Sequence, residues 1–343
     1  MQTDTATPSA ADGSKPSWTV ALAQYREPST ARSTFEIAVT AVPFVGLWAL
    51  AAVAVVHGHW WGLVLTIPAA GFLVRLFALQ HDCGHGTLFS RRGLNDWTGR
   101  VLGVFTLTPY DYWRRTHAVH HATAGNLDKR GIGDVNTLTV REFCALPWLG
   151  RVRYRLYRHP LVMFGLGPAW LFLCQYRLPV GLMRAGAQPW VSTIATNFAL
   201  VVPVAAMIWL VGLWPFLAVQ VPITLLAATA GVWLFYVQHQ FETTHWEADE
   251  DWQLHEAALN GSSHYVLPSV LQWLSANIGI HHVHHLHSRI PFYRLPEVLR
   301  DHADLAQGNR MTIRESLRSV RLHLWDEESK RLLSFSQARA RYP

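Results

Sequence analysis

Four long apolar runs constrain the fold of this chain more than any other feature. Residues 37–56 form an uncharged run of twenty residues, which as a helix is long enough to cross the ~30 Å hydrocarbon core of a bilayer. Residues 60–79, 190–211 and 216–237 repeat the pattern. Lipid offers no hydrogen bonds to the backbone, so spanning runs of this kind must be helical. We therefore expect an all-α membrane protein with four transmembrane helices in two hairpins.

The sequence predicts three regions along the chain, with boundaries that are less sharp than those of the apolar runs. Residues 1–33 are rich in Ser, Thr, Ala and Pro and predict a disordered tail. Residues 34–300 make up the membrane domain. Residues 301–343 predict an amphipathic cytoplasmic region, with a helix capped by Thr312 and Glu315 and an apolar face of Leu317, Val320 and Leu324. The only charged residue of the second run, Arg75, lies near its end and is expected to reach the lipid headgroups.

Eight of the 19 histidines fall into three clusters outside the apolar runs. The first cluster is His81 and His85, the second is His117, His120 and His121, and the third is His281, His284 and His285. On a helix, residues three and four apart share a face, so each cluster can direct its imidazoles to one point. Eight imidazoles are more than one tetrahedral zinc ion needs. The spacing therefore predicts a histidine-rich site for two metal ions.

Further histidines are judged by their position. His239 directly follows the last apolar run, where the three clusters are expected to meet, and is predicted to be a ninth ligand. His245, His255 and His264 lack the spacing of the clusters and are weaker candidates. The three cysteines form no Cys-x-x-Cys pair, so metal binding depends on nitrogen ligands, with added oxygen ligands left open. Trp113 precedes His117 by one helical turn and is expected to stack beside it.

Topology follows from the charges and from the requirement that the clusters meet. Residues 81–189 carry 14 Lys and Arg against six Asp and Glu, whereas the turns at 57–60 and 212–215 carry neither Lys nor Arg. The positive-inside rule then places both termini and every cluster in the cytoplasm. An even number of crossings must separate the second cluster from the third, so residues 160–176 are expected to be interfacial or re-entrant and not a fifth span. The basic charge flanks apolar runs, and no nucleic-acid partner is expected.

The motifs around the histidines resemble those of the membrane-bound fatty acid desaturases, from about residue 35 to residue 300. His81-Asp82-Cys83-Gly84-His85-Gly86 looks like the first histidine motif of the acyl-lipid desaturases. The second cluster with the stretch from Asn126 to Asp134 is similar to the bacterial delta-5 and omega-6 branch. So are Gln238-His239-Gln240-Phe241-Glu242 and Gly261-Ser262-Ser263.

This resemblance implies O2-dependent introduction of a cis double bond into a lipid-linked acyl chain. It implies two non-haem iron ions, held by His81, His85, His117, His120, His121, His239, His281, His284 and His285. It also implies a multi-pass protein of the bacterial inner membrane. The chain contains no nucleotide-binding glycine loop and no haem domain, so electrons are expected from an external donor such as ferredoxin. Trp113 is our candidate for a wall of the acyl tunnel.

The sequence leaves two other functions open. The same scaffold could hydroxylate or otherwise oxygenate a lipid, an alkane or a carotenoid, because the spacing of the ligands does not fix the reaction. A histidine-rich metal transporter or sensor is the second alternative. Transport calls for ionisable residues along the spans, yet residues 37–56 and 190–237 contain no charged residue. The sequence therefore favours an oxidoreductase.

Overall fold

The computed structural model describes residues 18–342, and they are mostly helical. Four helices in this part of the chain are long and apolar enough to cross a membrane: Thr30–Val56, Trp60–His85, Ala187–Val211 and Leu213–His239. The four predicted apolar helices are thus confirmed. All four extend beyond the predicted runs, and the C-terminal extensions of Trp60–His85 and Leu213–His239 hold histidines of the candidate site.

The helices and strands follow one another along the chain with short connections. The α-helices are α1 (Trp18–Ala21), α2 (Thr30–Val56), α3 (Thr66–His85), α4 (Arg92–Phe105), α5 (Tyr110–Thr123), α6 (Val140–Ala145), α7 (Trp148–Tyr157), α8 (Gly167–Leu173), α9 (Ala187–Val211), α10 (Leu213–His239), α11 (Leu254–Asn260), α12 (Ser269–Leu274), α13 (His281–Leu286), α14 (Leu295–Asp301), α15 (Ala303–Gln307), α16 (Ile313–Ser319) and α17 (Phe335–Arg341). Turns of 3₁₀ helix lie at Ala23–Tyr25, Trp60–Leu65, Gln175–Arg177 and Phe292–Arg294, and a π-helical turn lies at Val162–Leu166. The strands are β1 (Leu138–Thr139), β2 (His264–Val266), β3 (Arg310–Thr312), β4 (Leu324–Asp326) and β5 (Arg331–Leu333).

Helix α3 lies at the centre of the spans and packs against α2, α4 and α10. Its buried face carries Ala69, Leu73, Leu76 and Leu79, which form one apolar core with α2 and with residues of α10 such as Ile223. Most large side chains of α9 remain exposed, as expected of a surface that faces lipid. Because α3 is fixed on several sides, its final turn holds the first histidine cluster in a defined place.

Arg75 of α3 does not reach a headgroup region, and that prediction is wrong. Its side chain is 1% exposed and pairs with Glu36 of α2, which is equally buried. The guanidinium also donates to Thr40 Oγ1 at 3.1 Å and to the backbone carbonyl of Trp273. Glu36 lies one residue before the apolar run, so the run alone gave no sign of a counter-charge. The pair links α2 and α3 to the end of α12.

The disordered tail predicted over residues 1–33 is wrong from residue 18 onward, whereas residues 1–17 lie outside the described part of the chain. Leu22 and Tyr25 are buried in an apolar cluster with Ile290, Leu295 and other residues around α13 and α14. Tyr25 donates from its hydroxyl to Asp301 Oδ2 at 2.8 Å. Two anchoring side chains fix this segment without the long apolar run that a sequence pattern would reveal.

The C-terminal region differs from the predicted amphipathic helix. Thr312 and Glu315 do form the predicted capping box of α16, but the helix ends at Ser319. Leu324 lies in strand β4, which pairs in parallel with β1 and antiparallel with β5. Strand β2 pairs in parallel with β3. The all-α prediction therefore holds for the spans and fails for these short strands, which tie residues 310–333 to the loops around the histidines.

Residues 160–176 are divided between the π-helical turn, α8 and the start of a 3₁₀ turn. None of these is long enough to cross a membrane. Phe164 packs against Trp233 of α10, with ring centroids 5.1 Å apart. The interfacial placement of this segment stays a prediction.

Candidate metal centre

Four helices carry the nine predicted ligands to one place. Helix α3 continues without a break to His85, so the first cluster occupies its last turn. The second cluster lies in the last part of α5. Helix α10 ends at His239. The third cluster lies in α13, a helix of only six residues.

The histidines of these helices form two groups, in each of which the nitrogen atoms that could bind a metal lie within 4.8 Å of one another. The five-histidine group consists of His81, His85, His117, His121 and His284. The four-histidine group consists of His120, His239, His281 and His285. All nine residues named from the sequence therefore lie in the two groups.

Helical spacing explains how the clusters are divided. His117 and His121 are four residues apart on α5 and face the same group, whereas His120 projects about 100° away from His121 and joins the other. On α13 the relation is reversed, since His281 and His285 share the four-histidine group and His284 joins the five-histidine group. The second and third clusters therefore each serve both groups.

The imidazole nitrogens lie so close to one another that they indicate a binding site for a cation between them. His121 Nε2 lies 3.1 Å from Nε2 of both His117 and His284, and His117 Nε2 lies 3.1 Å from that of His85. A neutral imidazole nitrogen offers either one proton or one lone pair, so these approaches cannot all be hydrogen bonds. A metal ion at the centre of each group would satisfy every lone pair at once.

The four-histidine group shows the same close approach. His281 Nε2 lies 2.9 Å from His239 Nε2 and 3.0 Å from His285 Nε2. His120 Nε2, in the same group, and His81 Nε2, in the other, are buried without a hydrogen-bond partner in the described residues. A buried polar atom without a partner is costly. The residues therefore fit two metal ions better than they fit a network of hydrogen bonds.

Three ligand candidates have a partner on the opposite ring nitrogen. His120 Nδ1 lies 2.5 Å from Asp134 Oδ1, and His239 Nδ1 donates to the carbonyl of Gly261 at 3.2 Å. His81 Nδ1 lies 3.4 Å from a carboxylate oxygen of Asp82. A proton held at Nδ1 leaves the lone pair at Nε2, the atom that faces the group. Such contacts are the usual means by which proteins orient metal-binding histidines.

Electrostatics favour the neutral form of the histidines outside the spans. Burial, and secondarily the neighbouring imidazoles, hold the pKa of each well below its usual value of 6.5; they are His117, His121, His281, His284 and His285. Neutral imidazole is the form that binds metals. At neutral pH these side chains are therefore ready to act as ligands.

The two groups differ in their access to solvent. His85, His117 and His121 of the five-histidine group are partly exposed, whereas all members of the four-histidine group are buried. Phe235 packs against the four-histidine group, with its ring centroid 5.1 Å from that of His120 and 5.4 Å from that of His239. Trp113 stacks on His117, as predicted, with ring centroids 4.5 Å apart and planes at 16°.

The weaker histidine candidates lie outside both groups. His264 is buried beside His282, with ring centroids 5.6 Å apart, and His282 donates from Nε2 to the carbonyl of Leu305 at 2.8 Å. Neither His245 nor His255 belongs to a group of potential metal ligands in residues 18–342. The sequence pattern predicts every histidine of the two groups but indicates no role for Asp134, although this residue ends the motif from Asn126 that carries the family resemblance.

Apolar helices of spanning length that converge on nine histidines define a membrane protein with a candidate two-metal centre. The family model "Fatty acid desaturase" matches residues 58–316. The chain therefore belongs to the fatty acid desaturase family and is an oxidoreductase.

Similarity to individual proteins agrees with this assignment. "Fatty acid desaturase" of Bacillus subtilis (strain 168) is 44% identical over 314 residues, which cover 92% of this chain and 89% of that protein. Two proteins of Synechocystis sp. (strain ATCC 27184 / PCC 6803 / Kazusa) are more distant. The "sn-1 oleoyl-lipid 12-desaturase" is 26% identical over 73% of this chain and 71% of its own length. The "sn-1 acyl-lipid omega-3 desaturase (ferredoxin)" is 29% identical over 64% of this chain and 61% of its own length.

Proposed function

We propose that this protein introduces a cis double bond into a lipid-linked acyl chain, in a reaction that uses O2, two non-haem iron ions and an external electron donor. One observation carries the proposal: nine imidazoles lie in two groups, and within each group the nitrogen atoms that could bind a metal are within 4.8 Å of one another. We assign all nine histidines as ligands. Five nitrogens in one group exceed the four of tetrahedral zinc, and imidazole suits iron.

The two iron ions would supply the oxygen chemistry that can remove hydrogen from an unactivated methylene, which no acid–base side chain can do. The protein then has to position the acyl chain and keep water away. An apolar crevice between α3, α8 and α10 suits that task. Its wall includes Leu73, Phe77, Phe172, Ala227 and Gly231.

Trp113 connects this crevice to the five-histidine group. Phe77, in the wall of the crevice, contacts the Trp113 ring edge-on with centroids 5.4 Å apart, and Trp113 stacks on His117. The indole is buried. We infer that Trp113 forms the wall past which the acyl chain reaches the metal ions, so its position contributes to the choice of the methylene that reacts.

Electrons would come from an acidic carrier such as ferredoxin. The Synechocystis omega-3 relative carries ferredoxin in its name, and residues 81–189 of this chain have a strongly basic balance. The partly exposed histidines of the five-histidine group, His85, His117 and His121, lie within this basic part of the sequence, which also holds exposed Arg115. Complementary charge speeds the encounter of such partners.

The proposed arrangement in the membrane is based on the distribution of Lys and Arg along the chain. The helices of residues 34–300 form two hairpins in the bacterial inner membrane, and the segment 160–176 lies at the interface. Both termini and the metal centre then lie in the cytoplasm, under a cap built by the elements outside the spans. The basic residues between the second and third spans support this orientation.

Expression in a host without desaturases tests the reaction directly. Gas chromatography–mass spectrometry of the lipids should reveal a new unsaturated fatty acid in cells with the wild-type protein and none with His281→Ala. A new hydroxylated product instead would refute desaturation in favour of oxygen insertion. The purified protein should contain about two iron ions per chain and little zinc, whereas active protein with zinc and no iron would refute the metal assignment.

A further inference from the structure

We infer that Asp134 is a positioning residue for His120 and acts on only one of the two metal ions of the proposed centre, the ion in the four-histidine group. The inference rests on the proposed function, because it assumes that His120 binds a metal ion. Asp134 Oδ1 lies 2.5 Å from His120 Nδ1, and the two side chains are 7% and 1% exposed. The carboxylate is therefore held against the ring on the side opposite to Nε2.

The partners of Asp134 argue against a merely structural carboxylate. In residues 18–342, Asp134 Oδ2 is buried without a hydrogen-bond partner. Arg158, a buried arginine that binds the same loop through Thr137, donates to Gln240 and Tyr236 and forms no ion pair with Asp134. A buried carboxylate without a cationic partner is strongly disfavoured. A metal-bound imidazole would supply the positive charge that this carboxylate lacks.

The chain holds Asp134 in place from both sides. Gly133 has a φ of +83°, and a Cβ there would lie 3.0 Å from the Thr116 carbonyl and 3.1 Å from His120 Cβ. Only glycine lets the loop approach α5 this closely. Val135 is buried in an apolar cluster with Tyr236 and Phe241 at the end of α10. The carboxylate is thus fixed relative to α5 and α10, two of the three helices that carry ligands of the four-histidine group.

Within residues 18–342, the five-histidine group has no equally short carboxylate contact. Asp82 lies beside His81, but the separation is 3.4 Å, and Asp82 Oδ2 accepts the backbone N–H of Phe292 at 2.8 Å. This carboxylate therefore has a structural partner. A carboxylate on the far nitrogen raises the basicity of a metal-bound imidazole. Asp134 should accordingly strengthen binding and favour the higher charge state of the ion in the four-histidine group alone.

The test compares Asp134→Asn with wild type in protein loaded with ⁵⁷Fe. Asparagine preserves the size of the side chain and removes its charge. Iron retention against a chelator should fall by ~10–100-fold for one of the two ions, and one of the two Mössbauer doublets should change while the other stays. Asp251→Asn is the matched control, since Asp251 is exposed, and it should behave like wild type. Unchanged retention and unchanged doublets in Asp134→Asn would overturn the inference.

A double variant separates positioning from folding. If Asp134 acts through His120, then Asp134→Asn should weaken iron retention no further when His120 is already alanine. A further loss of the same factor in the double variant would show that Asp134 stabilises the fold instead, and would overturn the inference. Wild-type protein that binds zinc and no iron would refute the proposed function, yet the same comparisons on zinc retention would still decide the role of Asp134.

Discussion

Substitution of Glu36 by glutamine should destabilise the protein strongly, because it leaves the guanidinium of Arg75 buried without a counter-charge. Both side chains are 1% exposed. Arg75 also donates to Thr40 Oγ1 and to the backbone carbonyl of Trp273, so it cannot turn away towards solvent without breaking further bonds. Removal of one partner of a buried ion pair costs about 3–5 kcal/mol, and we expect a cost in that range for Glu36→Gln.

Removal of both partners should cost less. Replacing a buried ion pair by apolar side chains of similar volume is often neutral or stabilising, although here the Trp273 carbonyl loses its donor, at a cost of about 1–3 kcal/mol. The double variant Glu36→Gln, Arg75→Met should therefore be more stable than Glu36→Gln alone. Arg92→Gln is the control, since Arg92 is 82% exposed and lies 3.9 Å from Asp96. It should cost no more than ~1 kcal/mol.

Thermal unfolding of the detergent-solubilised protein measures these differences, with the midpoint of Glu36→Gln expected on the order of 5–10 °C below wild type. Iron content should fall with it, because Trp273 lies in α12, shortly before the third histidine cluster. A Glu36→Gln midpoint equal to that of Arg92→Gln would refute the reasoning. Arg75→Met alone completes the comparison. A double variant that loses the sum of the losses measured for Glu36→Gln and for Arg75→Met would also refute the reasoning, since the two side chains would then not be coupled.

Three further predictions test the site and the topology. His239→Ala should abolish desaturation and lower iron content, whereas His245→Ala and His264→Ala should keep most of both; full iron and normal turnover in His239→Ala would remove it from the site. Gly84→Ala would place a Cβ 2.9 Å from the Trp113 ring, which should cost about 1–3 kcal/mol and displace the indole that stacks on His117. Gly93→Ala, whose Cβ meets nothing within 4 Å, is the control, and equal activity in both would contradict the tight fit at Gly84. Reporter fusions at His59 and Trp214 should report the outside and fusions at Asn126 and Pro343 the inside; an outside signal at Asn126 would contradict the proposed orientation.

The apolar helices and the nine histidines of the two groups could be predicted because each depends on residues that are close together in the sequence. An uncharged run of twenty residues needs no tertiary information to be helical in lipid. Helical spacing likewise puts His117 and His121 on one face. His239 could be named as a ligand because it directly follows an apolar run, and the length of that run fixes the depth of the residue relative to the membrane.

Contacts between distant segments could not be predicted in this way. Arg75 gave no sign of its partner because Glu36 lies on another helix, outside the uncharged run. Leu22 and Tyr25 order the N-terminal segment through contacts with residues almost 270 positions away. Asp134 belongs to a recognisable motif, but its contact with His120 depends on the close approach of the loop at Gly133 to α5.

The last prediction concerns α13, which holds a third of the proposed ligands in six residues. A helix this short is not stable by itself, and Val283 and Leu286 are its only large apolar side chains in the core around α14. Its four histidines are buried, and for three of them the only side-chain contacts at hydrogen-bond distance in the described residues are other imidazoles. Buried imidazoles without suitable partners oppose folding. Metal binding should therefore contribute to the stability of α13. Removal of iron with a chelator should raise amide hydrogen exchange across residues 281–286 by on the order of tenfold or more, whereas residues 69–79 of α3, packed among apolar side chains, should not respond. Equal protection of α13 with and without iron would show that apolar packing alone holds the third cluster in place.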